Sequence, residues 1–230
     1  MNISDDELYE ILEASIKYQI DRLDKLDIYT NRHVHSVPII VNKICNELSL
    51  TKESTYFCVK VAYLHDIGKI FIPIEILQKR EKLTDDEYIT MQKHTIKGYE
   101  LCIATNELSK YSRGVRSHHE SENGKGYPDG LFKDNIPFEA EIVKVADVYD
   151  AIISRRQYKP EIKRSVALEI MKVEVLNGYF NKKIFIGLLK SIIKDIKFEI
   201  NQNSNIEDSL IDEINKIEQI VQEVRKGGNV

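Results

Sequence analysis

The sequence has little of what would mark a secreted, membrane-spanning or nucleic-acid-coating protein. Three cysteines stand in 230 residues, Cys45, Cys58 and Cys102. Their number is odd and none forms a CxxC pair, so a disulfide framework is excluded and they read as buried thiols in a reducing cytosol. No apolar run approaches the ~18 residues of a transmembrane helix. The opening MNISDDELYE is acidic and lacks the basic-then-apolar order of a secretory signal, so a cytoplasmic location is expected. A basic excess is missing too. The 33 Lys and Arg against 37 Asp and Glu leave a net charge of −4, with a pI near 5.9. That argues against a general DNA- or RNA-coating role.

What is present is an ordinary globular composition, 42% hydrophobic and 30% charged, in a length that suits one or two domains. With five prolines and ten glycines, the periodic stretches run mostly uninterrupted. A capping box, Ser4-Asp5-Asp6-Glu7, opens a helix in which Leu8, Leu12, Ile16, Ile20 and Leu23 recur at helical spacing. Further helices are predicted over about 30–48, 52–65, 84–101 (opened by the box Thr84-Asp85-Asp86-Glu87), 107–119, 138–154, 164–177 and 182–198. Gly178 stops the sixth of these, and residues 67–73 and 123–130 are turn-rich. No stretch alternates with period two, so the fold class is all-α. After a polar break at 201–205, a last helix carries Ile206, Leu210, Ile214, Ile217, Val221 and Val224 on one stripe. That stripe fits either docking onto the chain's own core or a helical dimer contact.

The six histidines, His33, His35, His65, His94, His118 and His119, carry the chemistry. A lone histidine is most often a surface or satisfied core residue. Here five of the six lie beside helix ends or glycine-rich turns, and two contexts stand out: His65-Asp66 and His118-His119-Glu120. Imidazole and carboxylate together suit Fe, Mn, Zn or Ni. Neighbours on a helix diverge by about 100°, so an adjacent His-Asp at a helix end flanks one cluster with two ligands. A carboxylate has two oxygens and so can bridge two metals, which a neutral imidazole cannot.

The order of motifs resembles the HD-GYP family, a bacterial branch of the HD superfamily of metal-dependent phosphohydrolases. It runs Leu64-His65-Asp66-Ile67-Gly68-Lys69, Gln92-Lys93-His94, His118-His119-Glu120, Gly126-Tyr127-Pro128 and Val145-Ala146-Asp147-Val148-Tyr149-Asp150-Ala151. The likeness covers about 27 to 189. It implies a compact helical HD bundle over 27–198, with an N-terminal helix (1–26) packed on it and an amphipathic helix (199–230) added after it. It implies a two- or three-metal centre hydrolysing cyclic di-GMP. Carried over by position, the ligands are His33, His65, Asp66, His94, His118, His119 and Asp147. Asp66 would bridge; His33, His65 and Asp147 would complete one shell, and His94, His118 and His119 the other. Some members hold a third metal through a glutamate four residues before the first histidine. Here that place is Tyr29, a poor replacement, so two divalent transition-metal ions, Fe or Mn foremost, are expected.

The implied mechanism has a bridging hydroxide attack phosphorus in line, opening the ring to pGpG and onward to GMP. Lys69 would contact a phosphate oxygen; the plainer reading is a solvated lysine at a helix C-terminus. Gly126, Tyr127 and Pro128 look like the family's substrate-facing loop. Arg156 and Lys159 fall at its phosphate-binding positions, and Asp150 would support the site from behind. Several positions depart from the pattern. Asn123 replaces an Asp, which would cost the loop a stabilising carboxylate. Val34-His35-Ser36 leaves no arginine after the first histidine, and His35 is a bystander. Arg155, Gln157 and Asn181 replace a usual Asp, Pro and Asp. None removes a ligand. The expected partner is a cyclic dinucleotide, with no general nucleic acid and no membrane insertion. A different cyclic dinucleotide, 3′,3′-cyclic GMP-AMP, stays open, as does a non-catalytic sensor or adaptor module. A general HD nucleotide phosphohydrolase would leave Gly126-Tyr127-Pro128 unexplained. With no receiver, membrane or cyclase-like segment before residue 30, regulation is expected from a partner, the terminal helices or a homodimer formed through them.

Overall fold

The computed structural model describes residues 5–26, 28–154, 162–202 and 207–227. Among the described residues no strand forms, and a single antiparallel bridge joins Asn123 to Phe132. The helices in chain order are α1 (Asp5–Glu10), α2 (Ala14–Leu23), α3 (Ile28–Glu47), α4 (Lys52–Leu64), α5 (Ile74–Leu77) and α6 (Asp85–Ala104). They continue as α7 (Ser112–Ser117), α8 (Phe138–Ile153), α9 (Arg164–Leu176), α10 (Lys182–Gln202) and α11 (Glu207–Lys226). The all-α expectation is met.

Local chemistry explains where several of them begin and end. Thr51 caps α4 by accepting from the Ser54 N–H. Thr84 and Glu87 form the anticipated capping box of α6, with Glu87 N donating to Thr84 Oγ1 (3.3 Å) and Thr84 N to Glu87 Oε2 (2.7 Å). Each bond satisfies an N–H that the first turn leaves without an intrahelical partner. Gly178, at φ 72°, ends α9. Its N–H bonds Val175 O and that of Tyr179 reaches back to Glu174 O, the paired closure that a left-handed residue permits.

The core sits where α3, α4, α8 and α10 pack together, with α6 and α7 closing one side. Val37, Val41 and Ile44 of α3 meet Val59, Ala62 and Leu64 of α4, Ile142, Val143 and Ala146 of α8, and Ile184, Phe185 and Leu188 of α10 in one buried cluster. The stripe on α11 is covered by the chain itself. Ile217, Ile220 and Val224 are buried where α11 packs on α9 and α10, so of the two readings of this stripe, docking onto the core holds.

Three expectations need correction. The first helix is two: α1 and α2 are separated at 11–13, where Glu13 turns extended (φ −63°, ψ 151°). The break lets its carboxylate accept from Lys60 (2.9 Å) and the Tyr111 hydroxyl (3.2 Å), while Leu8, Leu12, Ile16, Ile20 and Leu23 all stay buried. The helix predicted over 107–119 shrinks to a 3-10 turn (Ser109–Tyr111) running into the six-residue α7. Finally, α10 continues to Gln202, past the expected end at 198. Arg155, Arg156, Gln157 and Lys159 lie outside the described residues, as does the Tyr29 side chain.

Candidate metal centre

Six elements deliver the histidines and carboxylates to one place. His33 comes from the first turns of α3, His65 caps the C-terminus of α4, and Asp66 leads into a 3-10 helix (Ile67–Phe71). His94 projects from α6, His118 caps α7 with His119 beside it, and Asp147 and Asp150 come from α8. The 3-10 helix lies against α6 so closely that a Cβ on Gly68 would stand 1.8 Å from His94 O. The HD segment and the His94 helix are thereby locked together.

The donors fall into two groups. Single ligand atoms of His33, His65 and Asp66 lie within 4.8 Å of one another, and so do those of His94, His118 and His119. Asp66 stands between them: Oδ2 is 3.6 Å from His33 Nε2 and 3.4 Å from His65 Nε2, while Oδ1 is 3.5 Å from His94 Nε2. Asp147 Oδ1 lies 3.1 Å from His33 Nε2. All seven sequence-derived ligand candidates are therefore gathered. His35 is outside both groups, paired with Asp24 at 3.3 Å, as expected of a bystander.

The other ring nitrogens decide what these histidines present. Nδ1 of His65, His94 and His118 lies 2.6, 2.7 and 2.7 Å from the carbonyls of Ala62, Met91 and Val115, each three residues back. A carbonyl only accepts, so each Nδ1 carries the proton and each Nε2 presents a lone pair. His33 Nδ1 is likewise held by Asp150 Oδ2 at 2.7 Å, and Asp150 Oδ1 is fixed by the Ser36 hydroxyl at 2.7 Å. Asp150 thus fixes the orientation of the His33 ring.

These Nε2 atoms face each other, His94 to His118 at 3.2 Å and His33 to His65 at 3.3 Å. Lone pairs opposed at that distance in a buried site repel unless a cation or proton lies between them. The titration behaviour agrees. Burial drives His118 well below its usual value and His119 down to about 3, with neighbouring imidazoles adding to the effect. Burial would also lower His33, yet hydrogen bonds with Asp147 and Asp150 outweigh it and hold the ring at about 9. Burial opposes the charge on Asp66, but Lys69 and His65 hold it well below the usual carboxylate range. The lowered imidazoles of His94, His118 and His119 beside the ionised Asp66 form a donor set that fits divalent transition metals. His33 would give up its proton on taking such an ion.

Lys69 Nζ reaches Asp66 Oδ2 at 2.5 Å and is three-quarters buried, so it belongs to the site rather than to bulk solvent. Tyr127 stacks on the His119 ring, centroids 4.7 Å apart and planes 24° from parallel. The loop bearing Gly126, Tyr127 and Pro128 is held by a residue whose part the sequence reading missed. Glu120 is buried, and its carboxylate accepts from Asp129 N (2.7 Å) and Leu131 N (2.9 Å). Lys144 bonds the Glu120 carbonyl and the Ser121 hydroxyl, and Arg116 grips Asp129 with two 2.7 Å contacts. Glu120's place beside His118-His119 was the available signal; its partners nine and eleven residues on were not. The lost carboxylate at Asn123 costs the loop no anchor. Asn123 Oδ1 accepts from Lys125 N and its amide donates to Asn177 O, both at 3.1 Å.

Fold and site together define a helical protein built around a bipartite histidine–carboxylate centre. A model of the HD domain matches residues 17–184, and the chain belongs to that family, in keeping with the HD-GYP motifs. The HD domain implies divalent-metal binding, for which the two clusters are the candidates. The chain is 40% identical over 132 residues to the "Cyclic di-GMP phosphodiesterase response regulator RpfG" of Xanthomonas campestris, covering 56% of this chain and 35% of that protein. It is 32% identical over 215 residues to "Cyclic di-GMP phosphodiesterase PdeB" of Borreliella burgdorferi, 91% of this chain and 56% of that one. It is also 31% identical over 164 residues to "3'3'-cGAMP-specific phosphodiesterase 1" of Vibrio cholerae, 71% and 38%. The chain thus spans between a third and just over half of the length of these curated relatives. Among solved structures, Bd1817, an HDG"Y"P protein from Bdellovibrio bacteriovorus, matches with a TM-score of 0.59 at 18% identity, covering 80% of this chain and 63% of that one. At that identity the likeness supports the fold alone. No helix among the described residues is long and apolar enough to cross a membrane.

Proposed function

We propose that this chain is a binuclear-metal phosphodiesterase that hydrolyses cyclic di-GMP to pGpG and onward to GMP. The observation that carries the reading is the two-sided Asp66, one oxygen toward His33 and His65 and the other toward His94. In this reading His33, His65 and Asp147 would hold one divalent ion, His94, His118 and His119 would hold the second, and Asp66 would offer an oxygen to each. Two such ions would supply Lewis acidity to a phosphodiester oxygen and to the attacking water.

The chain's own residues supply the rest. The Ala62, Met91 and Val115 carbonyls and Asp150 fix four rings with Nε2 inward, so the site is organised before substrate arrives. Lys69, already beside Asp66, turns its ammonium to a non-bridging phosphate oxygen. Tyr127 walls the site over His119 and narrows the path of bulk water. Arg156 and Lys159 would grip the second phosphate, the guanidinium in bidentate fashion. As water adds to phosphorus, the P–O3′ bond breaks and the 3′ oxygen leaves as a hydroxyl.

3′,3′-Cyclic GMP-AMP is the second substrate to test, favoured by a relative that bears that specificity in its name. A cytoplasmic location agrees with three free, buried cysteines. A homodimer would have to use the outward faces of the terminal helices, since the inner stripe of α11 is spent on the core. The test is anaerobic purification with Mn²⁺ or Fe²⁺, elemental analysis, and hydrolysis of both cyclic dinucleotides. About two metals per chain and turnover are expected, with both lost in Asp66→Ala. Full activity in that variant would sink the binuclear assignment, and a filled site without turnover on either substrate would favour a sensor module.

A further inference from the structure

We infer that Tyr88 is the aromatic platform on which a purine base of the substrate stacks; this deepens, and rests on, the cyclic-dinucleotide reading. Tyr88 lies in the first turns of α6, the helix that delivers His94. Its ring meets the Tyr127 ring edge to face, centroids 6.4 Å apart and planes at 77°. Tyr127 in turn stacks on His119. A line of three rings therefore leads from a candidate ligand outward, and Tyr88 is its open end, with half of its surface exposed.

The fold makes no visible use of that ring. A core aromatic would be buried, and a capping role belongs to Thr84 and Glu87, the latter also paired with Lys79. Neither the Tyr88 nor the Tyr127 hydroxyl finds a hydrogen-bond partner among the described residues. A half-open ring braced at one edge is stiff, apolar on its free face and polar at its tip. It is linked through Tyr127 to His119, two ring contacts from a candidate ligand. Stacking accepts any base, since each has a π-face. Tyr88 therefore contributes affinity for purine nucleotides without choosing guanine over adenine, and base choice lies elsewhere in the site.

The test uses the full chain loaded with Mn²⁺ and compares the unmutated protein with Tyr88→Ala and Tyr88→Phe. Binding of GMP and of ribose 5-phosphate is measured by calorimetry, and KM for both cyclic dinucleotides by chromatography of products. In Tyr88→Ala, GMP binding should weaken by about tenfold or more, the size expected for one lost base stack, while ribose 5-phosphate binding and metal content hold. KM should rise by a similar factor for cyclic di-GMP and cyclic GMP-AMP alike, and Tyr88→Phe should restore both. Unchanged GMP binding in Tyr88→Ala overturns the inference, and so does GMP binding no tighter than ribose 5-phosphate in the unmutated protein. If neither cyclic dinucleotide is hydrolysed yet the GMP effect appears, the purine platform stands and the cyclic substrate reading falls.

Discussion

Adding one methyl group at Gly68 should cost this protein both stability and its centre. The Cβ of Gly68→Ala would lie 1.8 Å from His94 O, 2.7 Å from His94 C and 2.6 Å from Gly98 N. All three are backbone atoms of α6, so no side chain can rotate aside. The 3-10 helix and α6 must part by about 1.5 Å, and a close-packed interior has no slack for that. Overpacking costs about 1–3 kcal/mol where side chains can give and more where they cannot, so on the order of 3–5 kcal/mol is expected here. For a chain of this size that lowers the melting temperature by roughly 6–20 °C. The site suffers separately. Asp66 leads into the 3-10 helix and His94 stands on α6, so parting them lengthens the 3.5 Å approach of Asp66 Oδ1 to His94 Nε2. A misplacement of about 1 Å costs ~10²-fold in rate. Differential scanning fluorimetry with and without Mn²⁺, elemental analysis and cyclic di-GMP turnover would measure all three effects. The largest metal-induced rise in melting temperature should belong to the unmutated protein. If Gly68→Ala melts within a degree of it and binds its full complement of metal, the contact between the two segments does not organise the centre.

Other positions give sharper tests of single roles. Lys69→Ala should keep the metals and slow hydrolysis by about 10²-fold, as for loss of one donor to transition-state charge; unchanged kinetics would return Lys69 to a solvated role. Glu120→Ala should orphan the Asp129 and Leu131 N–H groups, at about 3–5 kcal/mol for two charge-assisted bonds, and raise KM as Tyr127 loses its fixed path over His119. An unchanged KM would mean that the loop holds its shape through Arg116 and Lys144 alone. Glu141 provides a pH test. Its carboxyl is pushed up to about 7, first by burial and then by Glu122 beside it. An acid raised in the folded state contributes stability that is full below its ordinary pKa of 4.5 and is lost as pH rises through about 7. Glu141→Gln should therefore flatten the fall in melting temperature between pH 5 and pH 8 and be the more stable form at pH 8. Parallel curves for the two proteins would show that Glu141 does not titrate in that window.

The candidate ligand set was legible in the sequence because its residues fall at the positions of the HD-GYP motifs, whose chemistry leaves few substitutes. A bridging group needs two oxygens, a terminal donor at neutral pH needs an imidazole or carboxylate, and the adjacent pairs His65-Asp66 and His118-His119 put such groups at helix ends. His65 and His118 each cap a helix C-terminus, where the turn before them has carbonyls to spare. The helices themselves were legible wherever a cap and a 3.6-residue stripe coincided, as at Thr84 and Gly178.

What the sequence hid was set by contacts distant along the chain. The apolar stripe from Leu8 to Leu23 keeps helical spacing straight through residues 11–13, so periodicity alone favours one helix. The chain breaks there because Glu13 finds Lys60 and Tyr111, 47 and 98 residues away. The same holds at Asn123. Comparison with the family pattern made it a loss, because a carboxylate was missing. An amide, however, carries a donor that a carboxylate lacks, and Asn123 uses it on the carbonyl of Asn177 at the end of α9. Asn181 repeats the trade: its oxygen accepts from Lys183 N at the start of α10, and its amide donates to Glu122 at 3.0 Å. Both substitutions replace an acceptor by an acceptor and a donor, and both donors tie the Gly126-Tyr127-Pro128 loop to the α9–α10 turn. Two departures that looked like separate defects thus act on one junction. Replacing either by aspartate would put a carboxylate against a carbonyl or against Glu122, so at this junction the family's usual residue would be the destabilising one.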